Sequence, residues 1–156
     1  MSVKLIRGYT LAPAVRPREF DQWLYNIHTP ELTKNPYLER IVYNTVREVL
    51  RCDRTFYGIS ELHYPNIAAY QRAQAWGEVH PIPPVLDLPS HTVSRFCVLC
   101  DIVEVEYPQA SNTRWKGHQA VKAILGYTLE KGWTPEAYDD WLYAIHTPDL
   151  MRNPYL

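Results

Sequence analysis

Phe20-Asp21-Gln22-Trp23-Leu24-Tyr25-Asn26-Ile27-His28-Thr29-Pro30-Glu31-Leu32 reads as an aromatic-rich helix that runs into a proline, and the chain holds it twice. It returns as Tyr138-Asp139-Asp140-Trp141-Leu142-Tyr143-Ala144-Ile145-His146-Thr147-Pro148-Asp149-Leu150, and both copies close on Asn-Pro-Tyr-Leu. Extended outward at a constant offset, Val3–Leu38 matches Val121–Leu156 at about 21 of roughly 36 positions, which marks a duplicated structural unit. The first copy runs on through Glu39-Arg40-Ile41-Val42-Tyr43 into further strand-like sequence, whereas the second holds only the strand and the helix pair.

Within the first copy, Pro17 is pre-organised for a helical first turn and has no donor to lose there. Phe20, Trp23, Leu24 and Ile27 follow at three- and four-residue spacing, which predicts an apolar stripe facing a core. Thr29 precedes a proline and is expected to leave the helical region, so this helix should stop near His28. Thr29-Pro30-Glu31 then reads as a fresh helix start with a carboxylate in its first turn. Glu31, and Asp149 after it, are explained by that position.

Before the helix, Val3–Leu11 is rich in β-branched and aromatic residues and predicts a first strand. After it, Leu38–Leu50 predicts a second and Thr55–His63 a third. Pro65 should open a helix that Gly77 breaks. The proline-rich segment 78–90 predicts an ordered loop outside the sheet, and His91–Glu106 a fourth strand. Strand, helix, strand, strand, helix, strand is the ferredoxin-like βαββαβ order, an α+β fold with one sheet face left to be covered, usually by a second subunit. The expected organisation is a domain at 1–107, a linker at 108–118, and at 119–156 a partial repeat with one more strand, Val121–Leu129, and one more helix pair.

Across 156 residues, 16 Lys plus Arg nearly cancel 17 Asp plus Glu, and no basic run stands out, so neither nucleic acid nor an anionic membrane is an expected partner. Three cysteines, no secretory leader pattern and no apolar stretch of membrane-spanning length point to a cytoplasmic setting. Cys97-Val98-Leu99-Cys100 has redox spacing but sits in a strand-like run. Residues three apart in a strand point to opposite faces, so these thiols are read as small buried hydrophobes rather than a metal or redox site.

The chemistry-bearing candidates begin with Asp21, Tyr25 and His28. At i, i+4 and i+7 they share one helix flank, and a carboxylate, a phenol and an imidazole are the groups proton transfer near neutral pH requires. All three recur as Asp139, Tyr143 and His146. Tyr9, Tyr43, Tyr57 and His63 on the strands could line a pocket with Trp23 and Trp76, suited to a flat aromatic ligand. His80, in the proline-rich segment, reads as a lid residue, with haem ligation the weaker alternative. Phosphate-loop, nucleophile-elbow and His-Glu-x-x-His patterns are absent from the sequence, and no metal or cofactor is expected.

The run Phe20-Asp21-Gln22-Trp23, then Ile27-His28-Thr29-Pro30, then Asn35-Pro36-Tyr37-Leu38-Glu39-Arg40 resembles the EthD-like branch of the dimeric α/β-barrel superfamily. The likeness covers residues 3 to about 106. It implies a homodimer whose sheets face each other to close a barrel, with a pocket between sheet and helices in each subunit. It also implies chemistry of the kind found in that superfamily, which includes decarboxylases, cyclases, isomerases and cofactor-free monooxygenases. The expectation is a cofactor-independent enzyme acting on an aromatic or polyketide-type molecule by decarboxylation or cyclisation. His28 would be its acid or base, Asp21 would orient it, and Tyr25 and Tyr57 would hydrogen-bond the oxyanion. The alternative is a non-catalytic ligand-binding or assembly protein that docks through its partial repeat, as a homodimer or a higher homo-oligomer.

Overall fold

β1, Val3–Leu11, is the strand about which the sheet of this computed structural model is built, because it is paired on both edges. The structure describes residues 1–50, 54–84, 92–102 and 122–152. Two compact units divide the chain, Met1–Val103 and Glu104–Leu156. The expected linker at 108–118 and boundary near 107, the far end of the proline-rich loop, and the second Asn-Pro-Tyr-Leu lie outside the described residues.

In the first unit the elements run β1, α1 (Pro17–Trp23), a π-helical turn (Leu24–His28), α2 (Thr29–Leu32), β2 (Arg40–Thr45), β3 (Gly58–Tyr64), α3 (Ile67–Val79) and β4 (Thr92–Asp101). The four strands lie in the order β2-β3-β1-β4, and every neighbouring pair is antiparallel. This is the ferredoxin-like split βαβ arrangement. β1 has the expected bounds, whereas β2 and β3 are shorter than their hydrophobic runs because a ladder extends only as far as its partner. β2, for example, pairs from Arg40 opposite His63 to Thr45 opposite Gly58 and stops there.

Alternation along β1 sends Val3, Leu5, Arg7 and Tyr9 to the helix-covered face. Two apolar clusters fill that face. Tyr9, Val15, Phe20, Trp23 and Leu24 form one under α1, and Val3, Tyr64, Ala69 and Ala73 form the other under α3. Asn35 explains the first half of the Asn-Pro-Tyr-Leu motif. It is buried, its Nδ2 donates to Ala73 O on α3 at 3.2 Å, and its Oδ1 accepts from Tyr37 N at 3.1 Å. The motif is thus a clasp between the loop before β2 and α3.

Three local expectations need correction. The first helix does not stop at His28, and Thr29 is helical (φ −64°, ψ −49°). Pro30 would remove a bond and crowd the carbonyl four residues back in a regular α-helix; widening the turn relieves this, with Thr29 N–H donating to Leu24 O. α3 is capped by Asn66, whose side chain accepts from Ala69 N at 2.9 Å, and it runs past Gly77 to Val79. Nothing lies within 4 Å of a Cβ built on Gly77, so that glycine costs only propensity. The cysteines of β4 are not buried: Cys97 is exposed and Cys100 half-buried, because β4 is an edge strand of this chain.

A fourth correction concerns the second unit. Among residues 122–129 no strand forms, although seven of the nine positions at 121–129 match β1 in residue type. A strand needs a partner for its backbone groups, and these residues have none of the pairing that β3 and β4 give β1. The helical half does form, as α4 (Pro135–Trp141), a π-helical turn (Leu142–His146) and α5 (Thr147–Met151). Gly132 turns the chain at φ 104°, and Thr134 caps α4 by accepting from Ala137 N at 3.2 Å. Tyr127, Trp133, Tyr138 and Trp141 pack ring on ring.

Gly8 is the tightest position in the sheet. A Cβ there would run into the ring of Phe96 on the neighbouring strand, next to the register shift between Gly8 and Tyr9. Alanine ordinarily improves on glycine in a strand, yet Gly8→Ala is expected to destabilise by about 1–3 kcal/mol through overpacking. Urea unfolding checks this as a lower midpoint at unchanged slope.

Candidate functional site

The π turn decides where His28 points. In a regular α-helix, residues five apart lie about 140° apart around the axis and do not meet. The wider turn brings them to the same side, and the His28 imidazole rests on the Trp23 indole with ring centroids 4.6 Å apart. Thr29 reinforces the turn from the side, with Oγ1 donating to Leu24 O at 2.6 Å. The second copy repeats this geometry, with Thr147 N–H on Leu142 O and His146 stacked on Trp141 at 4.7 Å.

His28 and Trp23 border a small open cleft of about 50 Å³ between the helices and the sheet. Phe20 and Leu24 complete its helical wall. The sheet contributes Arg7 and Tyr9 from β1, Tyr43 from β2 and Ser60 from β3. Arg7 and Ser60 face each other in the ladder register, which places both on the helix-covered face. Above the helix, Trp23 Nε1 donates to Pro83 O at 2.8 Å, and Ile82 packs against the Phe20 cluster. The near end of the proline-rich segment is thereby pinned beside the cleft.

The phenols of the cleft are held protonated. Burial first, and the neighbouring Tyr43 and Tyr25 next, push Tyr9 up to about 12. Burial also raises Tyr43, opposed by its contact with Thr29 Oγ1 at 3.2 Å. Because the folded Tyr9 binds its proton more tightly than the ordinary value of 10, its contribution to stability is complete below pH 10 and lost as pH rises towards 12. An ultraviolet titration of tyrosine is expected to show a late-ionising subset that shrinks by one phenol in Tyr9→Phe and merges with the rest on unfolding.

Asp21 does something other than orient an imidazole: its Oδ1 accepts the Tyr57 hydroxyl at 2.7 Å. The Tyr57 phenol is raised by burial first and then by that bond, and its ring packs edge-on against Phe20 at 5.5 Å. Tyr25 is 56% exposed, meets Tyr43 edge-on at 6.1 Å, and lines an adjoining groove with Thr29, Leu38 and Arg40. The structure therefore brings Tyr9, Trp23, Tyr43 and His28 together, with Asp21, Tyr25 and Tyr57 on the periphery.

His63, Trp76 and His80 are not brought there. His63 lies in the opposite strand phase from Ser60, with its Nε2 3.8 Å from Glu61 Oε2. Glu61 is buried, takes Lys4 Nζ at 3.0 Å and accepts from Asn44 Nδ2 at 2.9 Å, forming a polar cluster on the other sheet face. His80 terminates α3, stacking on Trp76 at 4.1 Å while its Nδ1 donates to Trp76 O at 2.8 Å. It serves the helix end, whose last carbonyls lack helical partners. Arg7 and Ser60 were missed by sequence reasoning. Arg7 was findable, being the charged residue in phase with Val3, Leu5 and Tyr9. Among the described residues no cluster of three or more His, Cys, Asp or Glu could hold a metal ion, and no helix is long and apolar enough to cross a membrane.

No known family model matches the chain, and no curated protein matches it. Solved structures similar to it include an EthD family protein from Bacillus halodurans, 21% identical, matched over 66% of this chain and 100% of its own, with a TM-score of 0.48. SnoaB, a cofactor-independent oxygenase from Streptomyces nogalater, is 17% identical over 67% of this chain and 95% of its own, with a TM-score of 0.46. A hydroxynitrile lyase from Passiflora edulis is 12% identical over 67% and 98%, with a TM-score of 0.43. The fold itself rests on the strand order and pairing described above.

Proposed function

We propose that this chain is a small enzyme, working without a cofactor, that moves a proton on an aromatic or polyketide-type molecule in the course of decarboxylation or cyclisation. The observation that carries this reading is the His28 imidazole held on Trp23 at the border of a cleft with the Tyr9 and Tyr43 phenols. Histidine titrates in the range where proton transfer is useful. Two phenols that stay neutral are hydrogen-bond donors for an enolate or phenolate oxygen forming nearby. The aromatic wall suits a flat ring laid against the open cleft. Asp21 and Tyr57 brace α1 against the sheet in this scheme and do not touch the substrate.

A homodimer is the assembly that goes with it. The sheet face away from the helices carries half-exposed Ile6, Val42 and Ile59 with exposed Val98, and a second copy covering that face would remove them from water. A reducing, cytoplasmic compartment fits a chain whose Cys97 is exposed and free.

The assembly reading has its own observation. In the second unit Leu125, Tyr127, Trp133 and Ile145 are exposed beside a β1-like segment without a ladder.

Deuterium wash-in separates the two. The chain is incubated in heavy water with a panel of β-keto acids and hydroxylated aromatic acids, and proton NMR follows loss of the exchangeable carbon-bound hydrogen. Accelerated exchange at catalytic protein concentration is expected. Exchange at the buffer rate across the panel would overturn the enzyme reading and leave the assembly one.

A further inference from the structure

We infer that residues 122–129 of one copy of the chain add to the free edge of β4 in a second copy and continue that sheet as a fifth strand. This rests on the assembly observation and does not involve the cleft. The second unit repeats the ring packing that joins β1 to α1. Tyr127 meets Tyr138 at 5.2 Å and Tyr138 meets Trp141 at 5.6 Å, as Tyr9 meets Phe20 at 5.8 Å and Phe20 meets Trp23 at 5.5 Å. The β1-like segment is therefore held to its own helix through the same positions as β1, and what it lacks is the ladder. Residues 122–129 form no strand, and Leu125 is 81% and Tyr127 63% exposed.

The edge that fits belongs to β4, because this sequence already pairs with it. β1 runs antiparallel to β4 from Val3 opposite Asp101 to Leu11 opposite Thr92. Its other partner, β3, is paired on both edges, whereas among the described residues β4 has β1 as its one neighbour. Ile102 N–H donates to Ser2 O at 3.1 Å, and the alternation of an antiparallel ladder then turns the backbone groups of Cys100 and Val98 toward β1 and those of Leu99 and Cys97 outward. The Leu99 and Cys97 side chains are exposed on the helix-covered face, opposite Leu5 and Arg7. Carried over at the constant offset of the repeat, the β1 register sets Ala123 against Leu99 and Leu125 against Cys97. Leu125 and Tyr127 then fall on that same face, and the helix pair that travels with them shields Leu99 from water. In the single chain this segment forms no strand, so the edge it joins is another copy's. Each copy offers both a segment and an edge, and a reciprocal exchange closes as a two-fold pair.

The test is a disulfide formed in the full chain. With Cys52→Ser and Cys100→Ser in place, Leu125→Cys should come within bridging distance of the second copy's Cys97, since directly paired residues lie about 5.5 Å apart between Cα atoms. Mild oxidation is expected to give a covalent dimer on a non-reducing gel, with a yield about tenfold lower for Ile124→Cys, whose side chain faces the other side of the sheet. A disulfide closed within one chain, equal yields from the two positions, or no covalent dimer would overturn the inference. Hydrogen exchange of the unmodified chain needs no substitution: amides of 122–129 should slow by about tenfold or more as concentration rises, and rates independent of concentration would also overturn it. Neither readout depends on His28. Loss of deuterium wash-in therefore leaves this inference standing, and loss of the cross-link leaves the proton-transfer reading standing.

Discussion

Phe20→Ala is expected to cost about 3–5 kcal/mol, a large part of the roughly 5–15 kcal/mol that holds a domain folded. Phe20 is 2% exposed, and its ring meets Tyr9 at 5.8 Å, Trp23 at 5.5 Å and Tyr57 edge-on at 5.5 Å. Truncation loses the transfer free energy of the ring and leaves a hole that three rigid aromatic rings cannot close by small movements. Two of those rings also define the cleft, so ligand binding should weaken even at temperatures where the variant stays folded. Phe20→Leu keeps most of the volume and should cost well under half as much. Urea unfolding of both variants checks the ranking; equal costs would mean that the site collapses around either residue.

Replacing His28 with alanine is expected to slow proton exchange about 10²- to 10⁴-fold, the usual worth of a positioned acid or base, with the fold retained. The ring is half-buried and rests on Trp23, outside the two apolar clusters, so the fold should survive its removal. His146→Ala should leave the rate unchanged. Its imidazole has the same stack on Trp141, but residues 122–129 have no sheet on which to complete a cleft, and Leu125 stands where Arg7 would. A rate that falls equally in both variants would mean that the indole-imidazole pair acts without the sheet. A rate untouched by His28→Ala would transfer the acid or base role elsewhere in the cleft.

The strand and helix order was legible in the sequence because periodicity of two or of three to four residues is written in the positions of the apolar side chains. Clustering of His28, Tyr9, Tyr43 and Trp23 was partly legible, since each lies on the apolar side of its element or at its edge. Grouping Asp21 and Tyr25 with His28 was not sound. That grouping assumed a regular helix, and the π turn breaks the phase between Asp21 and His28, leaving Asp21 to Tyr57 and turning Tyr25 outward. His63 looked like a pocket residue, but which face of a strand meets the helices depends on the register against its neighbours, and register is a property of two segments at once.

The two copies separate what local sequence determines from what tertiary structure decides. Trp-Leu-Tyr-x-Ile-His-Thr-Pro makes the same π turn and the same indole-imidazole stack in both units, one with a four-stranded sheet and one with no strand among its described residues. Its hydrogen bonds close within five residues, and its proline acts on the turn just before it. The β1 sequence behaves otherwise. Val3–Leu11 is a central strand, while the near-identical stretch at 122–129 forms none, because the backbone donors and acceptors of a strand must be met by another segment, and only β3 and β4 meet those of β1. Sequence alone therefore determined the helical element that carries the histidine. The pairing of the sheet decided that one histidine of the two would stand over an arginine and two tyrosines.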